Sequence, residues 1–438
     1  MHQAYQTYQA RRETLFAKMA DNSAAVLFAK APQYRNRDTE FPYRPDSTFY
    51  YLTGFAESHA IVVLIKRQQK TQTVMFCRMR DPNAEQWDGP RLGPLGVINT
   101  LGVNEAFAID QAAHLFPDLL QGLSRVYWMR HEPLSPEQHV LLMGRQDSKR
   151  YTPESPSEFH DLAGLVDEMR LIKSPEECAS LQTAGDISVR AHLMAMQGVR
   201  PGMHEFEIEA ILLKAFYERG SRSPAYPAIV AGGSNACILH YTQNNAVLKA
   251  GDLLLIDAGA EYDYLAADIT RTFPVSGKFS ADQQAIYELV LAAQTAAIAS
   301  IKPGAPWDEA QNIIINCLVT GLVDLKILQG DIPSLIAEKA YLPFYMHNSG
   351  HWLGMDVHDV GRYKIHNQAR ALEVGMVFTI EPGLYISADN LDVEERWRGI
   401  GVRIEDDLVV REQGCHVFTE ALPRSVAAIE QLMAHNRV

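Results

Sequence analysis

Cysteine is sparse: Cys77, Cys178, Cys237, Cys317 and Cys415 are scattered through 438 residues without a CxxC pair. That excludes a disulfide framework and a thiolate zinc cluster, and it suits a reducing compartment. No run approaches the roughly 18 apolar residues of a membrane span. The nearest, AIYELVLAAQTAAIASI, is broken by Glu, Gln, Thr and Ser. The opening residues, MHQAYQTYQARRETLF, hold no apolar core of a secretory signal, so a cytoplasmic location is expected. Positive charge is in deficit as well. A net charge of −13 makes nucleic acid an unsuitable partner, and nothing points to a membrane. No GxGxxG joins a strand to a helix, and no HExxH is present, so dinucleotide binding and the common zinc-peptidase helix both fall away.

What is there is a chain long enough for two domains. Residues 1–172 read as an α/β domain, with VLFAK, YYLTGF, IVVLIKR and TVMFCRM as strands and helical stretches near 9–20 and 157–170. Residues 173–438 read as two diverged copies of one unit. Each copy opens on a capping box, Ser174-Pro175-Glu176-Glu177 or Ser280-Ala281-Asp282-Gln283. Its first helix ends in Arg200-Pro201-Gly202 or Lys302-Pro303-Gly304. A second amphipathic helix follows, in EFEIEAILLKAFYERG or PWDEAQNIIINCLVTGL.

Then come GDLLLIDAG (251–259) and GMVFTIEPG (375–383), which align without a gap as glycine-bounded buried strands. Each carries one acid at its seventh position, Asp257 or Glu381. Each is followed by a strand with a further acid, Asp268 in ADITRTFPV or Glu405 in GIGVRIEDDLVV. Asp406 and Asp407 read as ordinary charged residues facing solvent. Asp257 and Glu381 end apolar runs, where an isolated charge is costly. Arginines 271, 396, 398 and 403 could neutralise them. Two divalent cations account better for four paired acids with an imidazole, and such oxygen-rich ligation suits Mn²⁺, Co²⁺ or Fe²⁺. Two such ions sit about 3.5–4 Å apart and share a water whose pKa drops towards ~7, giving a bridging hydroxide for amide hydrolysis.

In the segment HNSGHWLGMDVHDVG (347–361), His347 and His351 have the i, i+4 spacing of a helical pair, but Ser349-Gly350 between them argues against a helix. One imidazole, His351 before the others, would bind metal. The rest, with His240 upstream of the first acidic strand, could donate hydrogen bonds to a scissile carbonyl.

IDAGAEYDYLAADITRTFPVSGKF, HWLGMDVHDVG, FTIEPGLYI, RGIGVRIEDD and the N-terminal RDTEFPYRPDSTFYYLTGF together resemble the pita-bread metallopeptidases of the aminopeptidase P family. The resemblance implies an α/β N-terminal domain of the creatinase/prolidase type and an α+β pita-bread catalytic domain with an internal pseudo-two-fold repeat. It implies Asp257, Asp268, His351, Glu381 and Glu405 as ligands of a dimanganese centre, with Co²⁺, Zn²⁺ or Fe²⁺ as other occupants. Asp268 and Glu405 would bridge, Asp257 would bind one ion, and His351 with Glu381 the other. Substrate roles fall to His240 and His358, and to His347 and Arg403 around the proline ring. Trp87 and Asp38 match residues that reach a neighbouring subunit's site in a homotetramer or homodimer. One departure is Asn348, where the family pattern has a glycine after the first histidine.

The expected substrates are peptides with proline second, whose tertiary amide lacks the N–H that other peptidases grip. Prolidase, which takes only dipeptides, is the alternative. A metal-free binding protein of this fold is the rival of another class, and it would have lost part of the acid set.

Overall fold

The computed structural model describes residues 2–131, 133–143 and 156–434. The chain divides into two compact units, Met1–Met169 and Arg170–Val438.

The first unit is built on strands β1 (Ser23–Phe28), β2 (Tyr34–Asn36), β3 (Thr39–Glu40), β4 (Ile61–Arg67), β5 (Lys70–Cys77), β6 (Glu105–Ala108), β7 (Arg125–Trp128) and β8 (Glu158–Asp161). Among the described residues, six of them form a mixed sheet in the order β6-β5-β4-β1-β7-β8. Val26, Val63, Phe76, Phe116 and Val126 are the heart of its core. YYLTGF, expected as a strand, lies in the helix Ser47–Thr53 and its end. Local punctuation outweighs the strand preference of its aromatics. The Asp46 side chain accepts from the Phe49 N–H at the start, and Gly54 at φ 67° closes the helix in the left-handed region. The expected helix at 157–170 also begins late, as β8 followed by the helix Ala163–Leu171. Asp38 sits exposed in the turn between β2 and β3, and Trp87, in the helix Pro82–Asp88, is 88% exposed.

The second unit carries β9 (Ser223–Pro224), β10 (Ile229–Gly232), β11 (Leu253–Asp257), β12 (Ala260–Tyr262), β13 (Leu265–Ala266) and β14 (Thr270–Pro274) in its first half. Its second half holds β15 (Lys364–Ile365), β16 (Gln368–Ala369), β17 (Val377–Ile380), β18 (Gly383–Ile386), β19 (Ile400–Arg403), β20 (Asp406–Val410) and β21 (Cys415–Val417). The halves correspond in their two helices and in the paired acidic strands, β11 with β14 and β17 with β20. Each begins with a long helix, Pro175–Gly198 or Ala281–Ser300, and both expected capping boxes are formed. A second helix follows, Glu205–Glu218 or Glu309–Asp324. Each half then forms a three-stranded sheet, β10-β11-β14 or β17-β20-β21. Helices and sheets close over one core that includes Ile208, Leu254, Ile256, Ile314, Phe378 and Leu408. Burial of both faces explains why β11 and β17 read as unbroken apolar runs rather than alternating ones. Among the described residues no helix is long and apolar enough to cross a membrane.

Candidate functional site

The register of the two antiparallel strand pairs brings the acids together. β11 pairs with β14 so that Asp257 lies opposite Thr270, with Asp268 two residues before the strand. β17 pairs with β20 so that Ile380 lies opposite Asp406, with Glu381 and Glu405 just beyond the last pair. Main-chain and side-chain bonds then stitch the halves. Glu405 N–H donates to Thr270 O at 3.0 Å, Asp268 N–H donates to Asp407 Oδ2 at 3.0 Å, and Arg403 N–H donates to Thr272 Oγ1 at 3.2 Å. Asp406 and Asp407, expected in solvent, are buried in this seam. Asp406 is held there by an ion pair with Arg271 at 2.7 Å, and Asp407 by the Asp268 N–H it caps.

His351 reaches the acids from a glycine-rich segment that lies along β17. Thr379 N–H donates to His351 O, and Glu381 N–H donates to Ser349 O. Its Nε2 stands 3.3 Å from Asp268 Oδ2 and 3.6 Å from Glu381 Oε1. Nδ1 faces the Trp352 carbonyl at 3.0 Å, which can only accept, so Nδ1 carries the proton and Nε2 is directed at the carboxylates. Donor atoms of Asp268, His351 and Glu405 all lie within 4.8 Å of one another.

The electrostatics are those of crowded acids. Burial, then neighbouring carboxylates, push Glu381 up to about 7 and Glu405 well above the ordinary glutamate range. Burial raises Asp257 too, against the pull of Arg403, whose NH2 pairs with Asp257 Oδ2 at 2.6 Å. Burial opposes protonation of His351, but Asp268 and Glu381 overcome it and raise the imidazole to about 9. Four buried carboxylates thus face one arginine and a histidine made basic by their charge. The cluster draws positive charge, and its oxygen-rich donor set with one imidazole nitrogen fits a divalent cation.

Around the acids lies a hydrogen-bonded wall. His347 Nδ1 donates to Asn348 O at 2.8 Å, and Nε2 accepts from Tyr385 Oη at 2.8 Å. Tyr385 in turn accepts from Arg403 NH1 at 3.0 Å. Burial first, then Arg403, lowers His347 to about 4, so this ring is neutral. His358 packs edge-on to His351 with ring centroids 4.4 Å apart. His240 is exposed, and its charge is felt by both His347 and His358, which places it on the same rim. Trp87 and Asp38 belong to the first unit, where both are exposed.

Sequence reasoning missed Tyr226 and Tyr385. Tyr226 Oη lies 2.6 Å from both Asp257 Oδ1 and Asp268 Oδ1. Nothing in SPAYPAIV marks it, because its role arises only when two strands meet. Tyr385 could have been suspected from β18, where Gly383 pairs with Arg403 and Tyr385 lies two residues on, on the same face.

A model of metallopeptidase family M24 matches residues 179–412, and one of the aminopeptidase P N-terminal domain matches residues 8–127. The chain is 48% identical over 428 residues to a Xaa-Pro aminopeptidase of Haemophilus influenzae, covering 97% of this chain and 96% of that one. The structure of aminopeptidase PepP from Pseudomonas aeruginosa superposes with a TM-score of 0.96 at 47% identity, covering 99% of this chain and 98% of that one. Aminopeptidase P from E. coli with the inhibitor Pro-Leu superposes with a TM-score of 0.95 at 44% identity, covering 99% of both chains.

Proposed function

The chain belongs to metallopeptidase family M24 and to its Xaa-Pro aminopeptidases, which are hydrolases, and we propose that it removes the N-terminal residue from peptides whose second residue is proline. Asp257, Asp268, His351, Glu381 and Glu405 would hold two divalent cations, Mn²⁺ first and Co²⁺, Zn²⁺ or Fe²⁺ as other occupants. The reading rests on one observation: donor atoms from both halves, those of the buried Asp268 and Glu405 and the half-buried His351, gather within 4.8 Å. Bound there, the cations would lower the pKa of a shared water towards neutrality and polarise the scissile carbonyl.

The protein's own groups do the rest. His358 and His240, on the rim, donate hydrogen bonds to the scissile carbonyl oxygen and the group beyond it. The Tyr345, His347 and Tyr385 rings pack at 5.0 and 5.5 Å between centroids and make an aromatic wall for the proline ring. Arg403 holds Asp257 and Tyr385 in place and keeps one proton path ordered through Tyr385 to His347. Residues 173–438 serve as the catalytic domain. Trp87 and Asp38 serve a neighbouring copy's site in a homotetramer or homodimer, an assembly that sedimentation would reveal or refute. The cysteines among the described residues are free, in keeping with a cytoplasmic protein.

Prolidase is not favoured, since the relatives matched across nearly the whole chain are Xaa-Pro aminopeptidases. The test is hydrolysis of an Xaa-Pro-Yaa tripeptide and an Xaa-Pro dipeptide after chelation and stepwise return of Mn²⁺. The tripeptide should be cut only after return, and preference for the dipeptide would overturn the assignment. Asp268→Asn or Glu405→Gln should lose bound cation and lower turnover at least about 100-fold together. Normal cation content with a normal rate in either variant would refute the ligand set.

A further inference from the structure

His358 and its neighbour Asp359 point opposite ways. The His358 ring is exposed, and among the described residues it makes no hydrogen bond; its ring contact is edge-on to His351. Asp359 is 6% exposed and rooted in a buried charge cluster. Its Oδ2 accepts from Lys173 Nζ at 2.8 Å, and its Oδ1 accepts from Arg170 at 2.6 Å. Arg170 also binds Asp356 at 2.7 Å.

This cluster closes the loop that spans the two histidines. Asp359 N–H donates to Trp352 O at 2.8 Å, one residue past His351. At the loop's turn Gly354 O accepts from Ala266 N–H at 2.8 Å, two residues before Asp268. Gly354 is required there, because a Cβ would lie 2.1 Å from Asp359 Oδ2 and 2.8 Å from Lys173 Cε. Lys173 is itself tied down, its N–H donating to Gly375 O at 2.9 Å. The ion pair is therefore packed directly against the loop.

We propose that Asp359 and Lys173, with Arg170, are positioning residues for the reaction: their buried ion pair sets the loop so that the unbonded His358 ring stands at the rim of the site. The inference rests on the reading that His358 acts on the substrate.

The combined change Lys173→Met with Asp359→Asn removes both charges at near-constant volume and leaves Arg170 paired with Asp356. In the cation-loaded protein, kcat/KM for an Xaa-Pro-Yaa tripeptide should fall roughly 10- to 100-fold, the range that a displacement of about 1 Å produces. Bound cation should be unchanged, and a crystal structure of the variant should show the His358 ring shifted from His351. In a His358→Ala background the same pair of changes should cause no further fall. A ring left in place, or a full additional loss in that background, overturns the proposal. If the double variant does not fold, Lys173→Arg, which keeps both charges paired but changes the reach to Asp359, carries the same comparisons. Should the unaltered protein fail to cleave the tripeptide, the proposed function fails, while the ring position still decides this inference.

Discussion

Tyr226 has one hydroxyl proton and two carboxylates within 2.6 Å of its oxygen. Burial, then Asp257, raises its pKa well above that of an ordinary phenol, so it remains a donor at any working pH. A hydroxyl in that position fixes the angle between Asp257 and Asp268, and partners that orient ligands usually set cation affinity. Tyr226→Phe should therefore weaken cation binding roughly 10- to 100-fold, read by competition with a chelator, while the fold is kept. Unchanged affinity would assign the tyrosine a packing role only. The sequence announced the acids and not the tyrosine, and the reason is physical. An acid that ends an apolar strand conflicts with its surroundings and demands an explanation, whereas a tyrosine beside prolines conflicts with nothing. Asp406 and Asp407 show the reverse failure. Their charge suggested solvent, and their burial follows from Arg271 and the Asp268 N–H, partners that lie more than a hundred residues away.

At the scale of elements, the glycine-rich histidine segment is shaped by its contact with β17. A Cβ on Gly350 would lie 2.1 Å from Thr379 O, so any side chain there would push the segment off β17, the strand that Glu381 follows. Gly350→Ala should separate His351 from Glu381, lower cation affinity, and cost about 1–3 kcal/mol of stability through overpacking. Isothermal titration with Mn²⁺ and chemical denaturation would measure the two effects, and wild-type values in both would show that the strand can yield. The repeated strands, the two capping boxes and the first two helices of each half of the second unit were legible because local pattern and burial agree there. The helix Ser47–Thr53 was not. Its aromatics favour a strand, and the caps at Asp46 and Gly54 decided otherwise. Asn348 departs from the expected glycine without backbone strain, since its φ does not lie in the left-handed region that favours glycine.

For the whole molecule, cation binding and folding are linked. Unfolded glutamate loses its proton near 4.5, whereas Glu381 in the cation-free fold keeps its proton up to about 7. Between those values the fold holds more protons than the unfolded chain, so cation-free stability declines as pH rises through about 7. A bound cation removes that loss. The rise in Tm on adding Mn²⁺ should thus be larger at pH 8 than at pH 6, with about 4 kcal/mol available at roughly 1,000 times the Kd. Differential scanning calorimetry would check it, and an equal rise at both pH values would contradict the acid cluster as the binding site. The seam between the halves has one more consequence. The bonds of Glu405 to Thr270, Asp268 to Asp407 and Arg403 to Thr272 tie the two halves of the donor cage together. On the proposed reading, discrimination among peptides of different length falls to the doorway where His240 and His358 stand, and a redesign aimed at longer or shorter chains should leave the seam alone.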